Sequence, residues 1–363
     1  MKKISKKQLR FQRWKSSKAM RLRQRKNYRP RPKRRVVQSE PSIGTHLVAP
    51  SHFVLMSGRS FQYGADVNRY FEFLQSLRES KAGDLLIDMS RVRRMVVDAA
   101  LLFKAELSRL VQGGGIRIQA IPPTSARTQQ VLKQTKLDQL LNLKIDIAPD
   151  RDDVVRWRVA EGPRREVDPS VLAPIMDDIE EVTGLASHPM YQGIIESIGN
   201  CVEHAYKDHP DVTRYMPTDP GWWVFQQVRD NHLFVVVCDL GIGVSRALPL
   251  TLADQEGMMQ KLMHLVRKAK GSDNRALLAA MEYGRTSTKE PQRGKGMRNA
   301  HAVVDELGAG DFYAVSNKGF YVYRRDPGAA SGNHRTIKLR HSINGTIMGW
   351  RLPLAAPKPE SSS

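Results

Sequence analysis

Glu196-Ser-Ile-Gly-Asn200-Cys-Val-Glu-His204-Ala-Tyr206 has the spacing of one helix with two unlike faces. At about 100° per residue, Ile195, Ile198, Val202 and Ala205 fall on one side. Glu196, Asn200 and His204 are each four apart and form a stripe on the other, with Glu203 beside them. A solvated helix face commonly mixes Lys and Glu. This stripe carries a carboxylate, an amide and an imidazole, a set suited to a metal ion, a phosphate or a proton. Taken alone the stretch also fits a half-exposed surface helix, and the residues downstream decide between the two.

Residues 222–228 and 232–238 are β-rich runs flanking Arg229-Asp-Asn231, which predicts a hairpin. Trp222 and Trp223 belong to sheet-face packing. Directly after the second run comes Asp239-Leu-Gly241-Ile-Gly243. An Asp at a strand end followed by two glycines lets backbone approach a flat ligand closely while one carboxylate accepts hydrogen bonds. Residues 244–293 hold helical lengths near 255–268 and 273–283. Gly284-Arg-Thr-Ser-Thr288-Lys-Glu-Pro-Gln-Arg293-Gly294-Lys295-Gly296-Met297 then opens a helix over 298–307. Glycines at a helix start turn unpaired N–H groups toward a phosphate. The pattern is not a P-loop, because Gly-x4-Gly-Lys-[Ser/Thr] is not met. Strands near 311–316, 320–324, 335–339 and 345–352 close the region.

Upstream, strands and helices alternate. Residues 53–56 form an apolar strand, 65–77 a helix and 84–89 a second strand. Ala100, Phe103, Leu107 and Leu110 recur at helical steps before Gly113-Gly-Gly115. A strand at 116–121 stops at Pro122-Pro123, and a helix over 125–137 follows. This order predicts a sheet covered by helices. The polar, Pro-bounded stretch 163–169 fits a linker.

The charge is uneven. Residues 1–35 hold 17 of the 58 Lys and Arg, and the first acidic residue is Glu40, so the remaining chain has 41 basic against 37 acidic residues. Such an arm has too few apolar groups for a core and is expected to be disordered on its own. Phe11, Trp14 and Tyr28 interleave with its cations, a mixture suited to phosphate neutralisation and base stacking. No apolar run is long enough to span a bilayer, and no secretory h-region opens the chain. The two cysteines, Cys201 and Cys238, lack metal-site spacing, and a cytoplasmic location is expected.

Three pieces in order resemble the GHKL ATP-binding fold shared by gyrases, heat-shock chaperones, histidine kinases and anti-sigma-factor kinases. They are Glu196-x3-Asn200-x3-His204-Ala-Tyr, Asp239-x-Gly241-x-Gly243, and Arg293-Gly-x-Gly296-Met with the late Gly345-Thr346 strand. The resemblance implies a Bergerat-type α/β sandwich over 161–356 that binds ATP with Mg²⁺. It implies Asn200 as the Mg²⁺ ligand and Asp239 as acceptor of the adenine amino group, with Gly241 and Gly243 shaping that wall. Thr288, Gly294, Lys295, Gly296, Met297 and Thr346 would complete the nucleotide site, and Glu196 would be the general base. The stretch 244–293 would be a lid. His204 is expected to pack or orient the helix.

Residues 44–160 resemble the STAS domain of anti-sigma-factor antagonists, chiefly through Leu86-Ile-Asp88-Met-Ser90-Arg-Val92 and Val97-Asp98-Ala99-Ala100-Leu101. In that family the helix start after the Asp carries a phosphorylatable Ser or Thr. Here Ala99 and Ala100 have no hydroxyl, and Asp98 is expected to be a helix N-cap. The whole predicts an α/β (α+β) protein: a disordered basic arm over 1–43, the STAS-like domain over 44–160, the GHKL-like domain over 161–356 and a tail over 357–363. The expected function is a Mg-ATP-dependent switch. Its arm would contact nucleic acid through residues 1–35, its STAS-like domain would meet a protein partner, and the chain could homodimerise. A serine/threonine protein kinase of the anti-sigma type and a non-hydrolysing nucleotide sensor are the alternatives.

Overall fold

The computed structural model describes residues 44–55, 64–80, 83–163, 168–183, 188–207, 221–253, 272–286 and 298–354. Strands and helices alternate from Thr45 onward: β1 (Thr45–Val48), β2 (His52–Phe53), α1 (Gly64–Glu79), β3 (Gly83–Asp88), β4 (Arg94–Met95), α2 (Val97–Gly113), β5 (Ile116–Ile121), α3 (Ala126–Gln134), α4 (Leu137–Leu140) and α5 (Asp152–Val155). β6 (Arg158–Gly162) follows, then a 3₁₀ turn (Pro169–Leu172), α6 (Ala173–Thr183) and α7 (His188–Asn200), which runs into a π-helical turn (Cys201–Ala205). Next come β7 (Trp222–Arg229), β8 (His232–Asp239), α8 (Val244–Ala253), α9 (Asp273–Thr286) and α10 (Arg298–Leu307). The last strands are β9 (Gly310–Ser316), β10 (Gly319–Arg325), β11 (Asn333–Lys338) and β12 (Thr346–Pro353). The protein is therefore mixed α/β, as the alternation of apolar periods predicts.

The first half carries a parallel three-stranded sheet in the order β1-β3-β5 and a short parallel pair, β2-β4. The second half is organised on an antiparallel seven-stranded sheet in the order β11-β10-β9-β12-β8-β7-β6. β6 crosses the expected 160/161 boundary and pairs with β7, Ala160 opposite Val224. Residues from Ile43 to Ser363 form one compact unit. The β7–β8 hairpin turns on Asp230 and Asn231, both left-handed at φ 51° and 55°. That is the pairing the right-handed twist of a two-residue hairpin favours.

Alternation along β7 and β8 sends successive side chains to opposite faces of the large sheet. Trp222, Val224, Val235 and Val237 pack with Ile175, Ile194, Ile198, Val303 and Trp350 under α6, α7 and α10. Trp223, Phe225, Phe234, Val236 and Cys238 face the other way and share a core with Phe53, Leu74, Leu102, Phe103 and Leu107 of the first half. Both tryptophans are fully buried, one on each face.

The element on that second face is α2, and its own polar groups are buried with it. Asp98, Lys104, Glu106 and Ser108 are all buried. Asp98, Lys104 and Glu106 have partners, as burial of polar groups requires. The Tyr313 hydroxyl on β9 donates to Asp98 Oδ2 at 3.3 Å. Lys104 Nζ donates to the Thr135 carbonyl at 3.3 Å and lies 3.6 Å from Glu161 on β6. Burial pulls the Lys104 ammonium down and the Glu161 charge resists it. The expected N-cap role of Asp98 is corrected: the N-cap is Val96, and Asp98 lies in the first turn with Oδ1 accepting the Ala99 N–H at 2.9 Å. Val96 has extended backbone and no side-chain acceptor, so the helix start is held by the surrounding core rather than by a cap.

Candidate functional site

The site is built where α7 meets the ends of β8 and β12. Along α7 and the π-helical turn that continues it, the buried stripe is Ile194, Ile198, Cys201 and Ala205, and Ile195 and Val202 are only partly buried. The core-facing edge is thus one residue off the predicted stripe, because Ser197 and Cys201 point at the sheet. The Ser197 hydroxyl donates to the Gly193 carbonyl at 2.8 Å and touches Met348 Sδ at 3.7 Å. The Cys201 thiol reaches Asp239 Oδ2 at 3.6 Å. Glu196 and Asn200, each one residue before those two in sequence, are partly buried. Asn200 Nδ2 is buried with no hydrogen-bond partner among the described residues.

The helix widens to π geometry over Cys201–Ala205, a distortion that recurs at functional sites. Its consequence is local. The Ala205 carbonyl accepts the Ile242 N–H at 2.8 Å and so ties the helix end to the Asp239–Gly243 loop. The wider turn also takes His204 out of the α-helical step below Asn200. His204 is half-buried, lies 3.8 Å from Glu203, and is pushed down in pKa by burial and by Lys207. Burial and Lys207 thus favour its uncharged form.

Asp239 ends β8, pairs in register with Thr346 of β12, and Thr346 pairs in turn with Ser316 of β9. The three lie abreast on the face covered by α7. Asp239 Oδ1 accepts the Gly241 N–H at 2.8 Å, Oδ2 accepts the Cys201 thiol, and Thr346 donates from backbone and side chain. The side chain is 3% exposed, and burial pushes its carboxyl up to about 6 against these hydrogen bonds. Burial, followed by the Asp239 charge, also raises the Cys201 thiol and the Tyr206 phenol, so both stay protonated donors. Tyr206 donates to the Gly221 carbonyl and accepts the Leu240 N–H at 3.2 Å.

The two glycines of the loop are required by neighbouring protein. A Cβ at Gly241 would stand 2.2 Å from the Ala205 carbonyl oxygen. Gly243 is left-handed at φ +79°, and a Cβ there would stand 2.2 Å from Asn317 Nδ2. Asn317 instead donates that amide to the Ile242 carbonyl at 3.0 Å. The Val244 N–H, first in α8, donates to Ser316 Oγ at 2.8 Å, and Ser316 Oγ lies 3.2 Å from Thr346 Oγ1. The loop is thus clamped from three sides, and a ligand at Asp239 would meet a prearranged edge.

Six of the sequence-predicted residues are seen: Glu196, Asn200, Asp239, Gly241, Gly243 and Thr346. Asp239, Gly241, Gly243 and Thr346 come together in one cluster; the contact from the α7 side is made by Cys201, and Glu196 and Asn200 lie on that helix. Thr288, Gly294, Lys295, Gly296 and Met297 lie outside the described residues. Sequence reading missed Cys201 as a partner of Asp239, and it missed Ser316 and Asn317. Asn317 carried a signal, because Asn between two predicted strands favours the left-handed turn it adopts, φ +49°. An open groove of about 480 Å³ beside β1 and α1, lined in part by His46, Arg69 and Arg91, shares no residue with the cluster. Neither a protein-family model nor a curated protein matches the chain.

Proposed function

We propose that the Asp239 cluster binds the adenine of Mg-ATP and that the chain is a nucleotide-dependent switch with slow ATPase activity. The observation that carries this reading is the Asp239 carboxylate itself. It is buried at a strand end, held on Oδ1 by Gly241 and raised to about 6, beside a loop whose backbone is fixed in place. A buried carboxylate with a raised pKa gains from a donor that favours its ionised form, and an exocyclic amino group is such a donor. The site chemistry agrees with the sequence resemblance to GHKL ATPases.

The donor set fits a metal that arrives with the nucleotide. Among the described residues no group of three His, Cys, Asp or Glu could cage an ion. Mg²⁺ is commonly held by one or two protein oxygens plus phosphates and water. Asn200 would hold it through its side-chain oxygen, and the ion would neutralise phosphate charge there; the Asn200 Nδ2, buried without a partner among the described residues, is left to donate to a phosphate oxygen or water. Glu196, one helical turn away, would take a proton from the attacking water.

In the kinase alternative, the substrate would be a separate STAS-domain protein, which the STAS-like half resembles. Ala99, at the position matching the phosphoacceptor, has no hydroxyl, and it and Asp98 before it are fully buried against the large sheet on the face away from α7. That placement disfavours phosphorylation within the chain. Incubation with γ-labelled ATP tests the proposal: free labelled phosphate is expected, label on protein would favour the kinase, and calorimetry with no heat from Mg-ATP would sink both.

The basic arm, outside the described residues, is proposed to bind nucleic acid through phosphates. Removing residues 1–35 is expected to abolish binding to a duplex and leave Mg-ATP binding intact. Affinity of the full chain should fall about 10³-fold or more between 50 and 200 mM salt if six or more phosphates are neutralised. A flat salt titration, or a truncated chain that binds as well, would refute the role.

A further inference from the structure

We infer that Arg78, in the first half of the chain, is a positioning residue for the Asp239 pocket. The inference rests on the Mg-ATP reading and names how that site is regulated.

Arg78 sits in the last turn of α1 with its side chain 8% exposed. Its guanidinium addresses three acceptors. Nε donates to Glu106 Oε1 of α2 at 2.6 Å, Nη1 to the Ser342 carbonyl at 3.1 Å and Nη2 to the Ile343 carbonyl at 2.6 Å. The planar fork suits two adjacent carbonyls and a carboxylate at once, a task an ammonium cannot copy. Phe71, also on α1, stacks on His341 with ring centroids 5.8 Å apart. The segment 341–343 therefore rests on α1, although it belongs to the approach of β12.

From that segment, hydrogen bonds run without a break to the pocket. The Ile343 N–H donates to the Asn317 carbonyl at 3.1 Å, and the Asn317 N–H donates to the Gly345 carbonyl at 3.0 Å. Asn317 Nδ2 holds the Ile242 carbonyl of the glycine loop. Gly345 leads directly into Thr346, the residue abreast of Asp239. Asn317 and Asn344 are both left-handed, φ 49° and 53°, so the segment is a turn rather than a strand held by ladder bonds. A buried ion pair of this kind contributes little net stability compared with well-packed apolar side chains. What the guanidinium supplies is a fixed position for two carbonyls. Any shift of α1 then reaches Asn317 and the glycine loop, and a ligand that fixes the loop tightens α1 in return.

Arg109 provides the comparison. Its Nε bonds the other Glu106 oxygen at 2.9 Å, so Arg109→Gln breaks an ion pair to the same carboxylate without touching residues 342 and 343. Arg78→Lys keeps the charge and loses the fork, and it should fold where a larger change fails. Hydrogen exchange in the full-length, nucleotide-free protein is expected to speed about tenfold at the amides of Val244, Asn317 and Ile343 in Arg78→Lys and to stay unchanged there in Arg109→Gln. Mg-ATP affinity is expected to weaken about tenfold in Arg78→Lys alone, within the usual range of coupling between sites. Equal exchange in the two variants, or equal Mg-ATP affinity where wild type binds the nucleotide, would overturn the inference. The exchange experiment needs no nucleotide, so it judges Arg78 even if wild type proves unable to bind Mg-ATP, a result that would strike the parent proposal instead.

Discussion

Asp239→Asn is expected to weaken Mg-ATP binding about a hundredfold, from the loss of a hydrogen bond to a charged acceptor worth roughly 3 kcal/mol. The same variant should be at least as stable as wild type at pH 7.5 without nucleotide. The sign follows from burial. The Asp239 carboxyl titrates near 6 in the fold against an ordinary 3.8, so the folded protein favours the protonated form. Its contribution is fully present below about pH 3.8, falls as pH rises through 6, and is then constant. Two pKa steps correspond to roughly 3 kcal/mol of destabilisation at neutral pH. Thermal melts from pH 4 to 7 should therefore separate the variant from wild type progressively and level off above 6. Nucleotide binding should release a proton near pH 6 and weaken below it, measurable by calorimetry in buffers of different ionisation enthalpy. A variant that binds Mg-ATP normally would remove the adenine assignment.

Glu196→Gln carries the second large effect. Turnover should drop 10²- to 10⁴-fold, the usual contribution of a positioned general base, with Mg-ATP affinity changed little. Wild-type turnover in the variant would leave binding alone as the function of the pocket. Loss of affinity together with turnover would instead place Glu196 in the ground-state site.

Much of this arrangement was legible in the sequence because its signals are local. The alternation from Trp222 to Asp239 and the turn at Asp230-Asn231 specify a hairpin, and β7 and β8 appear within a residue of their expected ends. β5 runs over Ile116–Ile121 as expected, since Gly115 and Pro122 bound it. β1 was missed: Thr45–Val48 is an edge strand with mostly exposed side chains, so no apolar run marks it. β6 was missed for a similar reason, being short with alternating polar residues. α8 was absorbed into the expected lid, although Pro249 within it is a weak helix former. For the site, Asp239 and its glycines stood out by type and spacing. Cys201, Asn317 and Arg78 did not, because their partners lie 38, 75 and 265 residues away.

The burial of α2 decides how this chain can be divided. A fragment beginning after residue 163 would lose the helix and leave Trp223, Phe225, Phe234 and Val236 facing water in one patch. Exposed contiguous apolar surface of that kind drives association. The second half is thus not a portable module: a gene fusion, a limited digest or a recombination event that severs it from the first half would yield a sticky sheet rather than a working pocket.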